Sequence, residues 1–403
     1  IVAQTTEGGV DREQAFHYQA FVLDFAVAAL AAGRASGTPM SSRFAGRVRR
    51  MVEFLDAVAG PVGLPPSIGD EDGGRVLELS DEPGRYPVRA AAAAACAVGA
   101  PVPEGARTED LEPCVWLYGP DRTREWRRNG GPPRGAPSSP CFAEGGYYVP
   151  TGKDQHGVID CGPLGYLSLA AHGHADCLSL VIRCGRLWVL VDPGTYCYHR
   201  REEWRDHFRS TRAHNTVEVD GQDQSTMLGP FLWGRRATAL PRVWARGPAA
   251  DCFSGAHDGY RRGLGVTHER TVVFGRAGYW LVFDRLSGTG THDVRATFQL
   301  AREMHRVSGG GLRFAADGGV GISIEAWLPP GMDSRVAEGE TDPPDGWTSS
   351  GFGEKAPAPA VVFEGPEGDP ASIGVARVVG RGAPGRSFGA AREPGGFDVE
   401  VEH

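Results

Sequence analysis

Residues 160–224 read DCGPLGYLSLAAHGHADCLSLVIRCGRLWVLVDPGTYCYHRREEWRDHFRSTRAHNTVEVDGQDQ, and the fold assignment starts from this stretch. Two apolar runs, 178–183 and 187–191, flank Cys184-Gly185-Arg186, which is the pattern of a β-hairpin. The β-branched segment 216–219 predicts a further strand. The stretch therefore predicts antiparallel β-structure.

The sequence after this stretch continues the same pattern. Short strands separated by turns are typical of a β-sandwich. Gly and Pro together contribute 88 of 403 residues, which favours a turn-rich β architecture. The further predicted strands are 241–246, 267–274, 279–284, 292–300, 322–327, 359–363 and 372–379.

The sequence before this stretch reads as helical. Apolar residues at helical spacing predict helices over 13–32, with Gly33 as a stop, over 42–58 and over 87–98. The segment 119–140 has the composition of a linker. We therefore predict an α+β multidomain protein, with a helical domain at 1–118, a linker at 119–140 and a β-sandwich at 141–403.

Composition argues against several classes of protein. A net charge of −8 disfavours a general nucleic-acid binder. The longest apolar run, 21–32, is shorter than a membrane span needs and contains Asp24. None of the eight cysteines forms a CxxC pair, which argues against zinc-ribbon and thioredoxin sites and favours mostly free thiols.

Three polar residues are predicted to meet at one end of the hairpin. His174 precedes its first strand, Asp192 closes its second, and His214 precedes the strand at 216–219. If that strand joins the same sheet, the three side chains converge. Two imidazoles and a carboxylate suit zinc or another first-row divalent ion. The spacings of 18 and 22 residues match no compact metal motif, so ordinary loop hydrogen bonding is the alternative.

Residues near this trio are candidates for acid–base and substrate roles. In an extended segment His172 shares a face with His174, and imidazole is a common general acid or base. The segment 199–214 contains five arginines, among which Arg209 could grip an anion, although a solvated loop is equally consistent with the sequence.

The sequence closely resembles the C-terminal catalytic portion of the heparinase II/III-like polysaccharide lyases. The similarity spans AHGHAD (171–176), LVDPGTY (190–196), WRDHFRSTRAHNTVEVDGQDQ (204–224) and HDGY (257–260). A looser similarity covers EQAFHYQAFVLDF (13–25) and PSIGDEDGGR (66–75).

The resemblance implies an incomplete (α/α) toroid of helical hairpins followed by an antiparallel β-sandwich. It implies a metal site at His174, Asp192 and His214, with zinc expected first and manganese or calcium as alternatives. It also implies catalytic roles for Tyr18 and His172. The expected activity is β-elimination on an acidic polysaccharide that contains uronic acid, such as a glycosaminoglycan or alginate.

The candidate substrate contacts are His17, Tyr196, Arg209 and Asn215. The family usually carries an Asn/His segment upstream of the tyrosine that neutralises the substrate carboxylate, but Tyr18 lies only 17 residues after Ile1. We therefore expect an N-terminal segment to be missing, with His17 as a substitute or as an ordinary interhelix histidine. Gln19 stands where a histidine is common.

The sequence is consistent with three classes of function. A polysaccharide lyase is the leading interpretation, and a non-catalytic polysaccharide-binding or scaffold protein on the same fold is the second. The third, a metal-dependent hydrolase, would need a general base such as Asp160 or Asp176. The expected partner is an acidic polysaccharide or oligosaccharide, without nucleic acid or a membrane span. A dimer is one option. The sequence leaves the location open and favours a periplasmic or secreted one.

Overall fold

We describe the protein from a computed structural model, which defines residues 1–79, 82–129, 139–199, 201–367, 371–381, 388–393 and 396–401. The described residues contain seven α-helices, five of which precede residue 130. They are α1 Phe16–Ala35, α2 Ser42–Ala59, α3 Tyr86–Val98, α4 Glu112–Tyr118, α5 Pro120–Asn129, α6 Glu202–Arg209 and α7 Arg261–Leu264.

The N-terminal helices pack around the alanine-rich helix α3. Its small side chains allow α1 and α2 to approach closely, and all three contribute buried residues to one apolar core. Ser41 caps the N-terminus of helix α2, and its side chain accepts a hydrogen bond from the Phe44 backbone N–H at 3.2 Å. Packing against α3 thus holds together the helical part of the chain.

The rest of the chain forms antiparallel sheets. The first strands are β1 Cys141–Phe142, β2 Tyr147–Tyr148, β3 Gln155–Asp160, β4 Leu180–Cys184, β5 Leu187–Leu190, β6 Val217–Val219, β7 Met227–Gly229, β8 Leu232–Trp233, β9 Ala239–Arg246, β10 Ala250–His257, β11 Thr267–Gly275, β12 Tyr279–Ser287 and β13 His292–Gln299. The later ones are β14 His305–Arg306, β15 Leu312–Ala316, β16 Val320–Trp327, β17 Asp333–Ala337, β18 Glu340–Thr341, β19 Pro344–Asp345, β20 Trp347–Gly351, β21 Glu354–Pro357, β22 Ala360–Glu367, β23 Ala371–Arg381, β24 Phe388–Glu393 and β25 Gly396–Val401.

Three larger sheets share one core. Their strand orders are β1-β2-β3-β4-β5, β14-β15-β16-β23-β12-β11-β10-β9 and β17-β22-β13-β6. Ile182 from the first sheet, Trp280 from the second and Phe298 from the third belong to the same buried cluster. Helices followed by antiparallel sheets packed face to face confirm the predicted α+β class and sandwich.

Two expectations differ from the structure in detail. Helix α5 occupies the start of the predicted linker 119–140, because Trp126 is buried and its indole N–H donates to the Ala100 carbonyl at 2.7 Å. Linker residues 130–138 lie outside the described residues. Helix α1 has the length and hydropathy of a membrane span, but half of its most apolar stretch is buried within the protein.

Candidate metal and acid–base site

The predicted metal trio converges at the end of the β4–β5 hairpin. One potential ligand atom from each of His174, Asp192 and His214 lies within 4.8 Å of the others, and all three residues are buried. The strand after His214 does not join the hairpin sheet, which was the condition given for this convergence, because β6 pairs with β13 in the four-stranded sheet. A bridge from Leu190 to Leu300, just beyond β13, brings the two sheets together at this point.

Outer hydrogen bonds orient both imidazoles of the trio. His174 Nε2 lies 3.0 Å from Asp70 Oδ1, and His214 Nδ1 lies 2.6 Å from the Ser210 carbonyl oxygen. Because both outer partners are acceptors, each of these nitrogens donates its proton. The inner nitrogens, His174 Nδ1 and His214 Nε2, therefore present lone pairs to one another across 3.2 Å.

This arrangement fits a metal ion by the chemistry of the donor set. Two facing lone pairs repel unless a cation lies between them, and two nitrogens bound at about 2.0 Å to one tetrahedral ion are about 3.3 Å apart. Asp192 Oδ2 lies 3.5 Å from His214 Nε2 and would supply an anionic ligand. Hydrogen bonds from metal-binding histidines to outer acceptors are typical of protein zinc sites.

Burial also keeps the two imidazoles in the form that binds metal. Burial lowers the pKa of His174, against the opposing effect of Asp70, and it lowers the pKa of His214 well below its ordinary value. Burial raises the pKa of Asp192 well above its ordinary value. A cation would supply the positive charge that ionised Asp192 lacks in this environment.

Asp70 links the metal trio to the predicted acid–base pair. Its backbone N–H donates to the His172 carbonyl at 3.0 Å, and its Oδ2 accepts from His172 Nδ1 at 3.2 Å. Arg205 pairs with both carboxylate oxygens, at 2.7 Å for Nη2 and Oδ2. Burial alone would raise the pKa of Asp70, but the hydrogen bonds from His172 and His174 and the charge of Arg205 outweigh it and lower that pKa.

The loop that carries Asp70 depends on close backbone packing. Gly69 adopts φ 72°, and a Cβ there would lie 2.6 Å from the Gln14 carbonyl oxygen. The preceding Ile68 carbonyl accepts a hydrogen bond from the Phe16 N–H at 2.9 Å, at the start of α1. This contact holds Asp70 and Tyr18 on neighbouring elements.

The aromatic rings of Tyr18 and His172 stack on one another. Their centroids are 4.0 Å apart and their planes are inclined by 23°. The Tyr18 hydroxyl donates to Asp72 Oδ2 at 3.0 Å and lies 3.2 Å from the Tyr198 hydroxyl. Burial, reinforced by Asp72 and partly opposed by the hydrogen bond to Tyr198, raises the pKa of Tyr18 above its ordinary value. The two residues predicted from sequence are thus adjacent.

His17 lies at the edge of this pair. Its Nε2 contacts the Gly74 carbonyl oxygen at 2.8 Å, and its side chain is largely buried beside Tyr86. Glu71 and Asp72 lie 3.9 Å from its two ring nitrogens. The contacts are those of a histidine that packs between a helix and a loop, and its predicted substrate role stays a prediction.

The other predicted substrate contacts point into the protein. The Arg209 guanidinium is buried, pairs with Asp206 at 2.7 Å and stacks on Trp233. The Asn215 side chain is buried and donates to the Leu180 and Val191 carbonyls. Both side chains are thus hydrogen-bonded within the fold, and their predicted substrate roles stay predictions.

Tyr196 also lies away from the acid–base pair. Its ring packs against Trp204 and Phe208, with centroid distances of 6.2 and 5.7 Å. The tyrosine from this loop that reaches Tyr18 is Tyr198, two residues later. Sequence reasoning missed Tyr198, Asp70 and Arg205, although Asp70 lies in the acidic loop 66–75 that carries the looser family similarity.

Comparisons with known proteins agree with this architecture. The structure resembles a heparan sulfate lyase from Pedobacter heparinus, with a TM-score of 0.72, 17% identity, and coverage of 99% of this chain and 58% of that one. It also resembles two structures described as heparinase III, each with a TM-score of 0.74, at 17% and 14% identity. Coverage is 99% of this chain in both cases, and 58% and 60% of those chains.

At these identities the structural likeness shows the fold. The chain spans about three fifths of the length of the solved structures it matches. No curated protein matches it in sequence. The family profile described as "Heparinase II/III-like, C-terminal" matches residues 134–376, which is more than half of the chain. The chain therefore belongs to the heparinase II/III-like family.

Proposed function

We infer that the protein is a polysaccharide lyase that cleaves an acidic, uronate-containing polysaccharide by β-elimination. The observation that carries this proposal is the stacked Tyr18–His172 pair, with His172 hydrogen-bonded to Asp70. The similarity to structures described as heparan sulfate lyase and heparinase III supports a glycosaminoglycan as the first polymer to test.

The hydrogen bonds favour His172 as base and Tyr18 as acid. Because Nδ1 of His172 donates its proton to Asp70, Nε2 carries the lone pair that can accept a proton, and a Glu13 carboxylate oxygen lies 3.7 Å from it. A pKa raised by burial keeps the Tyr18 hydroxyl protonated at neutral pH. His172 and Tyr18 are then adjacent in the protonation states that a base and an acid need for an elimination.

Elimination at a uronate balances without water. His172 takes the proton from C5, and the electron pair of that bond forms the C4–C5 double bond. The C4–O4 bond breaks, and Tyr18 gives its proton to the departing O4. The products are a hydroxyl end and an unsaturated uronate end, after which the proton passes from His172 back to Tyr18 through solvent. The charge that develops beside the substrate carboxylate needs nearby neutralisation.

The metal trio lies next to the loop that carries His172. His174, Asp192 and His214 would hold the ion, and two nitrogens with one carboxylate favour zinc over calcium, which prefers oxygen ligands. When bound, the ion supplies fixed positive charge in a buried site. Asp70 holds the His174 side chain through a hydrogen bond, and His172 lies two residues before His174 on the same loop.

The proposed function is tested on heparan sulfate, chondroitin sulfate and alginate. A lyase produces unsaturated ends that absorb in the ultraviolet, whereas a hydrolase produces saturated ends. Asp160 and Asp176, the candidate bases for hydrolysis, are buried, and burial raises the pKa of Asp160 to about 7. Binding without product would support the second candidate, a polysaccharide-binding protein, and saturated products would contradict the lyase.

Zinc binding is expected to depend on the trio. After treatment with a chelator and addition of zinc, we expect about one zinc ion per chain by elemental analysis. His214→Ala should abolish this binding, since it removes an inner ligand. Zinc at 100 times its dissociation constant should stabilise the wild type by about 2.7 kcal/mol.

A second buried histidine pair provides the matched control. His257 and His268 lie 3.1 Å apart, but His268 Nε2 donates to Asp284 and the Gly259 N–H donates to His257 Nδ1. That hydrogen-bonded chain leaves no pair of facing lone pairs. His268→Gln should therefore keep zinc binding, and a His214→Ala variant that still bound zinc as the wild type does would contradict the assignment.

A further inference from the structure

The hairpin formed by β20 and β21 carries an exposed aromatic ring beside the acid–base pair. Phe352, at its turn, is 47% exposed. Its ring centroid lies 5.0 Å from that of Tyr198, whose hydroxyl lies 3.2 Å from the Tyr18 hydroxyl. An unbroken row of aromatic groups thus leads from Tyr18 outward to Phe352.

Other rings extend this surface. Phe231 contacts Tyr198 edge-on, with centroids 4.9 Å apart, and lies 5.9 Å from His172. The exposed His199 ring lies 5.5 Å from Phe231. The Arg205 guanidinium lies 5.0 Å from the Tyr198 ring centroid, on the side of Asp70. Arg205 and Phe231 therefore hold the Tyr198 ring in place, while the Phe352 ring keeps a face exposed to solvent.

The hairpin is anchored to the metal-site loop by backbone hydrogen bonds. The Ser349 N–H donates to the Pro193 carbonyl at 2.7 Å, and the Gly353 N–H donates to the Tyr196 carbonyl at 2.6 Å. Gly194 has φ 84°, and a Cβ there would lie 2.6 Å from the Ser349 carbonyl oxygen. The close approach of these two segments thus requires the glycine that follows Asp192 and Pro193.

Lys355 provides a second attachment of the hairpin, because it lies between two tryptophan rings. Lys355 Nζ lies 3.6 Å from the ring centroid of Trp204, on helix α6, and 3.3 Å from that of Trp347. A cation at this distance from the face of an indole ring is attracted to it. The contact with Trp204 joins the hairpin to the helix that carries Arg205. Phe352 is thus exposed on a support that is attached at both ends.

We propose that Phe352 is a stacking platform for one pyranose ring of the bound acidic polysaccharide, next to the sugar that Tyr18 and His172 act on. The C–H groups on one face of a pyranose are apolar and slightly positive, and they complement the negative face of an aromatic ring. Because the ring would contact the ground state and the transition state alike, it would contribute to binding rather than to the chemical step. This inference rests on the proposed lyase function.

Binding and turnover together test the platform. In a His172→Ala background, which removes turnover during titration, we expect Phe352→Ala to weaken binding of heparan sulfate or alginate hexasaccharide about tenfold. With His172 intact, Phe352→Ala should raise KM by a similar factor and leave kcat unchanged. Phe352→Trp, which keeps an aromatic face, should bind as the parent does.

Val243→Ala is the matched control, since Val243 is a similarly exposed apolar side chain on strand β9 of the sandwich. It should change neither binding nor KM. Unchanged binding in Phe352→Ala, with the parent binding, would overturn the platform and leave the lyase proposal intact. A parent that neither binds nor cleaves any polymer tested would overturn both.

Discussion

Replacing Tyr18 with phenylalanine, or His172 with alanine, is expected to lower kcat for polymer cleavage by about 10²–10⁴-fold. The first change removes the proton donor to O4, and the second removes the base that takes the C5 proton. Because the two residues act on one concerted step, the double variant should be little slower than the slower single variant. Initial rates of ultraviolet absorbance from unsaturated ends measure this effect.

Tyr196→Phe is the matched control for this prediction. Tyr196 lies on the same loop as Tyr198, but its ring packs against Trp204 and Phe208 rather than against His172. Its kcat should equal that of the wild type. If Tyr18→Phe retained wild-type turnover, the acid role would be wrong, and if His172→Ala did so, the base role would be wrong. The thermal unfolding midpoint of each variant, compared with that of the wild type, tests whether the fold is retained.

Local sequence patterns predicted most of the elements. The hairpin at 178–191 forms as β4 and β5, and the helix predicted at 87–98 forms as α3, because hydrophobic spacing and turn residues act over a few positions. The stop predicted at Gly33 is wrong by three residues, since α1 continues to Ala35. The loop after α1 folds back onto it, with the Thr38 N–H donating to the Gly33 carbonyl at 2.9 Å.

The metal trio was predicted from strand ends, and the role of Tyr18 was predicted from the resemblance to the family. Asp70 was missed because it meets His172 and His174 across more than 100 residues of chain, and no local pattern records such a contact. The pairing of Arg209 was missed for the opposite reason. An arginine in a basic segment looks available to an anion, yet Asp206, three residues earlier in the same helix, already pairs with it.

Asp70→Ala is expected to lower the free energy of unfolding by about 3–5 kcal/mol, because it leaves the buried Arg205 guanidinium without its partner. It also removes the acceptor that orients His174, so zinc affinity should fall about 10–100-fold. Turnover should fall as well, since His172 Nδ1 loses the partner that fixes its tautomer. Urea unfolding, competition with a zinc indicator and initial rates measure the three effects.

A second buried pair separates positioning from stability. Asp110 is buried and pairs with Arg85 in the helical part, so Asp110→Ala should destabilise the protein similarly while leaving zinc affinity unchanged. Asp70→Ala combined with Arg205→Met removes both buried charges, and it should recover much of the lost stability without recovering zinc affinity or turnover. Equal loss of zinc affinity in Asp110→Ala, or recovered turnover in the double variant, would mean that Asp70 contributes to stability alone. Unchanged zinc affinity in Asp110→Ala, together with recovered stability but not turnover in the double variant, would identify Asp70 as the residue that couples metal binding to the orientation of His172.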